Sequence, residues 1–411
     1  MYVDDDMLDQ LTEEDNYTYA SIIPLIGGET IAMQNAFGKR PEYIMSYEAF
    51  TANDSQLLNY YNNEVPYQLL DNFTGYLKEV DVVNSVCPCA GLSMLNVNAS
   101  SDSATNDWMV ESAKYVLGKI KPKVFWGENA PGLYGNMGKP VVEKLKKVGE
   151  EHGYTLTLYK TKSTLHGLGQ VRNRAFYFFW KDNVVPYLPY FNKEKEPIEE
   201  CIRNAFVSDD DPMNELVNDK KPSEDPWYQF ILEEIHGGIT HKEFFARLDK
   251  STNTLNYIED KMGMDYYPAL SEWFKHHGYE KEAAKCLRID AKYKAGGNIM
   301  KRGIEFGKGS TSAFVGHFAT SLVHPDEDRF ISIREALSIM KMPKDFQLVG
   351  GRKNLNMICQ NVPVSTAQDM AQSVKDYLDG KLDTFNTKFL RQSNVQRNHE
   401  HEANSLEEFL V

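Results

Sequence analysis

Short apolar runs alternate with longer amphipathic segments through the first 180 residues of this 411-residue chain. Six runs have the length and composition of strands: SIIPLI (21–26), EYIMSYE (42–48), VDVVNSV (80–86), KVFWGEN (123–129), YTLTLY (154–159) and AFYFFW (175–180). Helical patterns such as DWMVESAKYVLGKI lie between them. Because parallel strands need crossover connections that are usually helices, this alternation predicts an α/β domain with a mostly parallel sheet.

The alternation stops near Tyr187, and the following segments, such as KEFFARL and SEWFKHHGY, are rich in aromatic and charged residues. The pattern changes again near residue 324, with a loop, a capped helix that starts near Ser332 and a turn at Pro343. We therefore predict a smaller domain inserted into the α/β domain. The predicted segments are an acidic leader (1–17), the α/β domain (18–186), the insertion (187–319), a return to the α/β domain (320–385) and a polar tail (386–411).

Composition excludes several classes of protein. No apolar run reaches the ~18–20 residues that span a bilayer, so we expect a soluble, cytoplasmic protein with no membrane partner. Five cysteines are odd in number and sparse, which favours a reducing compartment over a disulfide framework. The net charge of −14 disfavours binding to nucleic acids, because their phosphates are also negative. However, residues 275–310 hold nine Lys/Arg against four Asp/Glu, so a basic surface would be local.

The segment CPCAGLS (87–93) directly follows a predicted strand. A cysteine at this place lies at the carboxyl edge of the sheet, where α/β proteins bind ligands. Cys89 follows a proline and precedes small residues, so it is a candidate nucleophile. We expect Cys87 to be a small buried residue. No metal site is expected, because no second Cys or His pair with zinc spacing lies nearby.

Polar residues also end one later strand and begin another. At these points the chain resembles the cytosine-5 DNA methyltransferase family, whose signatures run Pro-Cys-x-Gly-x-Ser, Glu-Asn-Val and Gln-x-Arg-x-Arg. Here they stand as PCAGLS (88–93), ENA (128–130) and QVRNR (170–174), and the later HPDEDRFISIREALSIMKMPKDF and QNVPVSTAQDM resemble the ninth and tenth motifs. The resemblance covers roughly 18–185 and 320–378. It implies a Rossmann-like catalytic domain with an inserted target-recognition domain.

The resemblance also implies a covalent mechanism on cytosine. Cytosine C5 is a poor nucleophile, so the family adds a thiolate to C6 and thereby makes C5 able to attack an electrophilic carbon. Cys89 would form that bond, and Glu128 would protonate the ring at N3. Arg172 is expected to contact the base or orient Glu128, and Arg174 to support the site or a phosphate. Because a duplex hides C6 in the stack, the base must flip out.

The resemblance is weakest where the donor should bind. The family's first strand ends Asp-x-Phe-x-Gly-x-Gly-Gly, whereas the aligned stretch here is SIIPLIGG, so only the last two glycines survive. The implied donor is S-adenosylmethionine, and an acid at the end of the second strand commonly accepts ribose hydroxyls. The candidate donor contacts are Ile23, Gly27, Gly28, Glu48 and Asn361. Asn361 belongs to the tenth motif, where the family's Gly-Asn is Gln-Asn.

The expected partner is double-stranded DNA, modified by a monomer. Candidate DNA contacts are Ser93 and Gln170 by resemblance, and Lys294, Lys301, Arg302 and Lys308 from the basic, glycine-containing stretch AKYKAGGNIMKRGIEFGKG. Three explanations fit the altered donor motif: a methyltransferase with a divergent pocket, an enzyme that uses another one-carbon donor at C5, as in hydroxymethylation, and a non-catalytic DNA-binding relative. RNA stays an alternative substrate, because a tRNA-modifying relative shares the catalytic logic.

Overall fold

A computed structural model describes residues 17–71, 73–88, 90–92, 100–101, 103–297, 299, 301–316 and 318–387. Its described residues group into two compact units. The first unit lies within Met1–Thr161, Asn173–Phe191 and Thr366–Val411, and the second within Lys162–Arg172 and Asn192–Ser365. This grouping places residues 320–365 with the second unit. The five segments predicted from the sequence stay a prediction.

Strands and helices alternate through the first part of the chain. The strands are β1 (Tyr19–Ile22), β2 (Ile44–Ser46), β3 (Tyr67–Leu69), β4 (Val82–Ser85), β5 (Val124–Asn129), β6 (Tyr154–Lys162), β7 (Gln170–Val171), β8 (Asn173–Lys181), β9 (Val184–Pro186), β10 (Thr252–Asn253), β11 (Glu305–Phe306), β12 (Thr311–Ser312) and β13 (Thr384–Asn386). The helices are α1 (Gly28–Phe37), α2 (Thr51–Tyr60), α3 (Asp107–Tyr115), α4 (Lys139–His152), α5 (Ile198–Arg203), α6 (Pro226–Phe230), α7 (His241–Ala246), α8 (Thr254–Met262), α9 (Tyr267–His276), α10 (Glu280–Lys294), α11 (Ile333–Ile339), α12 (Leu355–Gln360) and α13 (Val364–Leu378).

The first unit is built on a seven-stranded sheet with the order β3-β2-β1-β4-β5-β8-β6. The strands from β3 to β5 pair in parallel, and β8 runs antiparallel to β5. β1 and β4 are buried along their whole length, as expected for parallel strands covered on both faces. The predicted α/β architecture with a mostly parallel, Rossmann-like sheet is confirmed.

The main departure from the predicted strands is at β1, which ends at Ile22 although the apolar run continues to Ile26. Ile23 and Leu25 take left-handed backbone conformations, with φ of 51° and 52°. Such a conformation is unfavourable for bulky side chains and cannot continue a strand. The short β3 was not predicted, because its sequence, YQL, is brief and has a polar residue in the middle.

The second unit is mainly helical, with the two-stranded pairs β10–β11 and β7–β12. Its core is rich in aromatic contacts, such as those of Phe244 with Tyr228 and Phe306. The predicted helix start near Ser332 is confirmed: the Ser332 hydroxyl accepts the Glu335 N–H at 3.1 Å, and the Glu335 carboxylate accepts the Ser332 N–H at 2.8 Å. In the described part of the chain, no helix is long and apolar enough to cross a membrane.

Candidate active site

Three strands of the first unit bring polar residues to one edge of its sheet. Ser85 at the end of β4 pairs with Gly127 of β5, and Asn129 at the end of β5 pairs with Ala175 near the start of β8. Because β8 runs antiparallel to its neighbour, its first residues lie at the edge where the parallel strands end. The end of β5 therefore lies beside the start of β8, the strand that carries Arg174.

Cys89 and Ser93 lie outside the described residues, and the chain is described up to Pro88 on the strand side. Cys87 is fully buried, with the Ser85 hydroxyl at 3.0 Å and the Tyr177 hydroxyl at 3.9 Å from its sulfur. Burial raises the pKa of the Cys87 thiol to about 11, so it stays protonated near neutral pH. Since thiolates are the nucleophilic form, Cys87 has the properties of a structural thiol.

Glu128 and Arg174 form an ion pair at this edge. Their side chains are only 3% and 10% exposed, so the pair is shielded from solvent. A buried carboxylate needs such a partner, because removing an ion from water costs several kcal/mol. The guanidinium therefore fixes Glu128 in place.

Asn129 connects the end of β5 to the segment that leads to Cys89. Its side-chain NH2 donates to the Cys87 carbonyl at 3.4 Å, and its side-chain oxygen accepts the Ala130 N–H at 2.9 Å. Gly127 allows the strands to approach here, since a Cβ at that position would clash with the Ser85 carbonyl and the Tyr177 hydroxyl. The contacts of Asn129 and Gly127 thus fix the end of β4 against the end of β5, the strand that carries Glu128.

Comparison with known proteins identifies this arrangement, because residues 18–376 match the family described as C-5 cytosine-specific DNA methylase. The chain belongs to this family. The type II methyltransferase M.Bpa9945I of Bacillus paralicheniformis is 23% identical to it over 354 residues, which cover 76% of this chain and 74% of the relative. M.NmeDI of Neisseria meningitidis serogroup C is also 23% identical, over 73% of this chain and 64% of its own length. The chain thus spans less than two thirds of some relatives.

Structural similarity agrees with this placement among the cytosine-specific DNA methylases. A prophage-encoded E. coli protein described as a DNA modification methyltransferase superposes on the chain with a TM-score of 0.57 at 13% identity. The match covers 88% of this chain and 99% of the other. At that level of identity the likeness shows the shared fold. The family assignment therefore rests on the sequence match, and the fold is consistent with it.

The two arginines of this DNA methylase each have their own buried partners. Arg174 pairs with Glu128. In the second unit, the buried Arg172 guanidinium donates to the carbonyls of Phe314 at 2.7 Å and of Cys359 and Asn361 at 2.9 Å. The prediction that Arg172 contacts the base or orients Glu128 stays a prediction. The sequence could not separate the two roles, because they depend on tertiary contacts.

Gln170 and Asn361 are also buried within the second unit. The Gln170 side-chain oxygen accepts the Phe314 N–H at 3.1 Å, and its NH2 lies 3.2 Å from the Met340 sulfur. The Asn361 side-chain NH2 lies 3.2 Å from the sulfur of Met342. Both side chains are fully buried and serve packing in this structure. Their predicted contacts with DNA and donor therefore stay predictions.

The turn after β1 fits the family's donor site only in part. Gly27 has a φ of 99° and precedes the first residue of α1, Gly28, as a phosphate- or donor-binding turn requires. A Cβ at Gly27 would clash with the Leu57 side chain, so this glycine also serves close helix packing. Glu48 is exposed just past β2, and its N–H donates to Asp71 at 2.7 Å.

The rest of the turn does not fit an adenosyl group as the family binds it. Ile23 and Leu25, which stand where the family has Phe and Gly, are buried aliphatic side chains in left-handed conformations. The carboxyl group of Asp54 on α2 is also buried in this unit, and it accepts a hydrogen bond from the Tyr67 hydroxyl at 2.9 Å. The residues present therefore depart from an S-adenosylmethionine cradle, and we derive no step through that donor.

The predicted phosphate contacts in the second unit differ in their charge partners. Lys301 forms an ion pair with the buried Glu259, whose side chain is 7% exposed. Lys294 is exposed and lies 2.8 Å from Asp290. Arg302 is exposed, and Lys308 is half-buried. A phosphate contact through Lys301 would have to replace its ion pair with Glu259.

Proposed function

We propose that this chain modifies C5 of a cytosine flipped out of double-stranded DNA, with Cys89 as nucleophile and Glu128 as acid. The observation that carries the proposal is the buried Glu128–Arg174 ion pair, held beside the segment that leads to Cys89. Such a carboxyl group can meet N3 and the exocyclic amine of a cytosine edge. Glu128 and Arg174 therefore supply a site for the charge that develops in the ring.

The reaction begins when the Cys89 thiolate forms a bond to C6, which pushes an electron pair into the ring. Glu128 gives a proton to N3, so the adduct becomes a neutral, enamine-like species that is nucleophilic at C5. C5 attacks the electrophilic carbon of the donor, whose bond to its leaving group breaks, and C5 then loses its proton to water. The electrons of that C–H bond re-form the C5–C6 double bond, so the C6–S bond breaks and Cys89 leaves as thiolate, while N3 returns its proton to Glu128.

The family's expected donor is S-adenosylmethionine, which would make the chain a DNA cytosine-5 methyltransferase. The buried Ile23 and Leu25 at the β1 turn favour a second candidate, an enzyme that places a different one-carbon unit on C5. Masses of nucleosides from DNA treated with the protein distinguish the two. A gain of one methyl group with S-adenosylmethionine supports the first, and another added mass, with a cell extract as donor source, supports the second.

Covalent trapping tests the nucleophile. DNA that contains 5-fluorocytosine, incubated with wild-type protein and donor, should form an adduct that resists denaturation, because fluorine cannot leave as a proton. Cys89→Ala should form none, and the matched Cys87→Ala variant should form as much as the wild type. An adduct that persists in Cys89→Ala, or that disappears in Cys87→Ala alone, would assign the chemistry to the wrong cysteine. Equal trapping on RNA would contradict the DNA substrate.

A further inference from the structure

The β5–α4 loop (130–138) carries two exposed apolar side chains shortly after the candidate acid. Tyr134 is 50% exposed and Met137 is 39% exposed. Single exposed apolar residues are common on protein surfaces, but two on one short loop beside a candidate active site indicate a surface that meets a partner. Neither side chain takes part in the reaction proposed above. The partner that covers them therefore needs an explanation.

Backbone hydrogen bonds and close packing fix the conformation of this loop. Three of its N–H groups donate to carbonyls three residues earlier in the chain, at 3.0 Å each. Leu133 is buried in the middle of the loop. A Cβ at Gly132 would clash with the Leu92 carbonyl, so the loop packs closely on the short 3-10 helix Ala90–Leu92. The loop is therefore anchored to the segment that directly follows Cys89.

The loop lies close to the position where a flipped base would be held. Five residues lead from Asn129 at the end of β5 to Tyr134, and most of them lie in a 3-10 turn. At a rise of roughly 2.0 Å per residue they span about 10 Å, whereas DNA advances by about 3.4 Å per base pair. Tyr134 therefore lies within about three base-pair steps of a cytosine that is held at Glu128.

The charge around the loop is complementary to a phosphate backbone. Residues 131–147 contain four lysines and one glutamate, in a chain whose net charge is −14. Lys139, the first residue of α4, is exposed, and within the described part of the chain no acidic side chain forms an ion pair with it. Such a lysine can neutralise a phosphate without giving up an internal partner. Cations beside exposed aromatic rings are the combination that binds unstacked nucleic acid.

We propose that the β5–α4 loop contacts the DNA beside the flipped cytosine, with Tyr134 packed on the face of an unstacked base and Lys139 on a phosphate. The inference rests on the proposed function, because a base that flips towards Glu128 leaves its neighbours partly unstacked. Apolar side chains that pack on bases at such a step compensate for the lost stacking. Met137 supplies a second apolar contact of this kind.

Equilibrium binding of labelled duplex DNA tests this contact without any donor. The probe is a mixed-sequence duplex with one cytosine opposite an abasic site, where the neighbouring bases are already partly unstacked. Tyr134→Ala should bind it about five- to a hundredfold more weakly, as expected for the loss of one base–aromatic stack. Tyr134→Phe keeps the ring and should retain wild-type affinity. The matched control is Tyr76→Ala, which removes a tyrosine that is 79% exposed on the segment before β4, and it should also bind as the wild type does.

Salt dependence tests the phosphate contact independently. Lys139→Gln should reduce the salt slope of the binding constant by about one unit. If Tyr134→Ala does not fold, Met137→Ala replaces it and should also weaken binding to the abasic duplex, with thermal unfolding unchanged.

Several results would overturn the contact: wild-type affinity in Tyr134→Ala, an equal loss in Tyr134→Phe or Tyr76→Ala, or a protein dimer in sedimentation that Tyr134→Ala dissociates. The fluorocytosine adduct separates this inference from the proposed function. Affinity that depends on the Tyr134 ring, without any adduct, would refute the proposed chemistry and support the contact. Adduct formation together with wild-type binding by Tyr134→Ala would refute the contact alone.

Discussion

The buried carboxyl group of Asp54 leads to a quantitative prediction about how the stability of the protein depends on pH. Asp54 is fully buried on α2, and its carboxylate accepts the Tyr67 hydroxyl at 2.9 Å. Burial raises the pKa of Asp54 from an ordinary value of 3.8 to about 7, although the hydrogen bond from the Tyr67 hydroxyl opposes the shift. The folded protein therefore keeps this proton through a pH range in which the unfolded chain has lost it.

The sign and size follow from proton linkage. Between about pH 4 and pH 7 the folded state binds one more proton than the unfolded state at this site, so the free energy of unfolding falls as pH rises. The fall ends above the folded pKa of about 7. A shift of roughly three units at about 1.36 kcal/mol each gives an upper estimate of roughly 4 kcal/mol.

Asp54→Asn removes this titration. We expect the variant to match wild-type stability near pH 4 and to exceed it by up to about 4 kcal/mol at pH 8. Equilibrium urea unfolding over a pH series measures the difference, with the exposed Glu79→Gln as matched control. Glu305, whose pKa burial also raises to about 7, contributes a parallel slope to both proteins and cancels. Stability curves of wild type and Asp54→Asn that stay parallel from pH 4 to pH 8 would refute the reasoning.

Two further predictions concern the second unit. Lys301→Ala leaves the buried Glu259 without its cation, so we expect the free energy of unfolding, measured by heat or urea, to fall by about 1–3 kcal/mol. Adding Glu259→Gln to the Lys301→Ala chain should reduce this loss. Wild-type stability of Lys301→Ala would contradict the role of the ion pair. Arg302→Ala should weaken binding to DNA of any sequence and reduce the salt dependence of the binding constant by about one unit of slope, and an unchanged slope in a fluorescence titration would move the docking surface elsewhere.

Much of the first unit could be predicted because its pattern is local. Buried parallel strands give short apolar runs, and a polar residue at the end of a run marks the carboxyl edge of the sheet. This is why the sequence alone could place Glu128 and Asn129 at the candidate site. The start of α11 could also be predicted, because a Ser followed three residues later by a Glu is the pattern of a capping box at the start of a helix.

The remaining features depend on contacts between distant parts of the chain. Arg172 and Arg174 stand two residues apart, and nothing in that spacing shows that the first donates to backbone carbonyls while the second pairs with Glu128. Glu29 and Asp54 lie in helical segments where an acidic residue is usually exposed. Only the packing of α1 and α2 on the sheet shows that both are buried.

The buried carboxyl group of Glu29 bears on how the β1 turn differs from the family pattern. The family has an aspartate on the first strand where this chain has Ser21, and Ser21 donates through Asn84 to the same network that holds Glu29. An acidic group is thus retained beside the end of β4, but it comes from α1. Leu25 stands in a left-handed conformation that glycine would adopt without strain. Ser21, Asn84 and Glu29 therefore give this region hydrogen bonds of its own at the place where it departs from the family pattern.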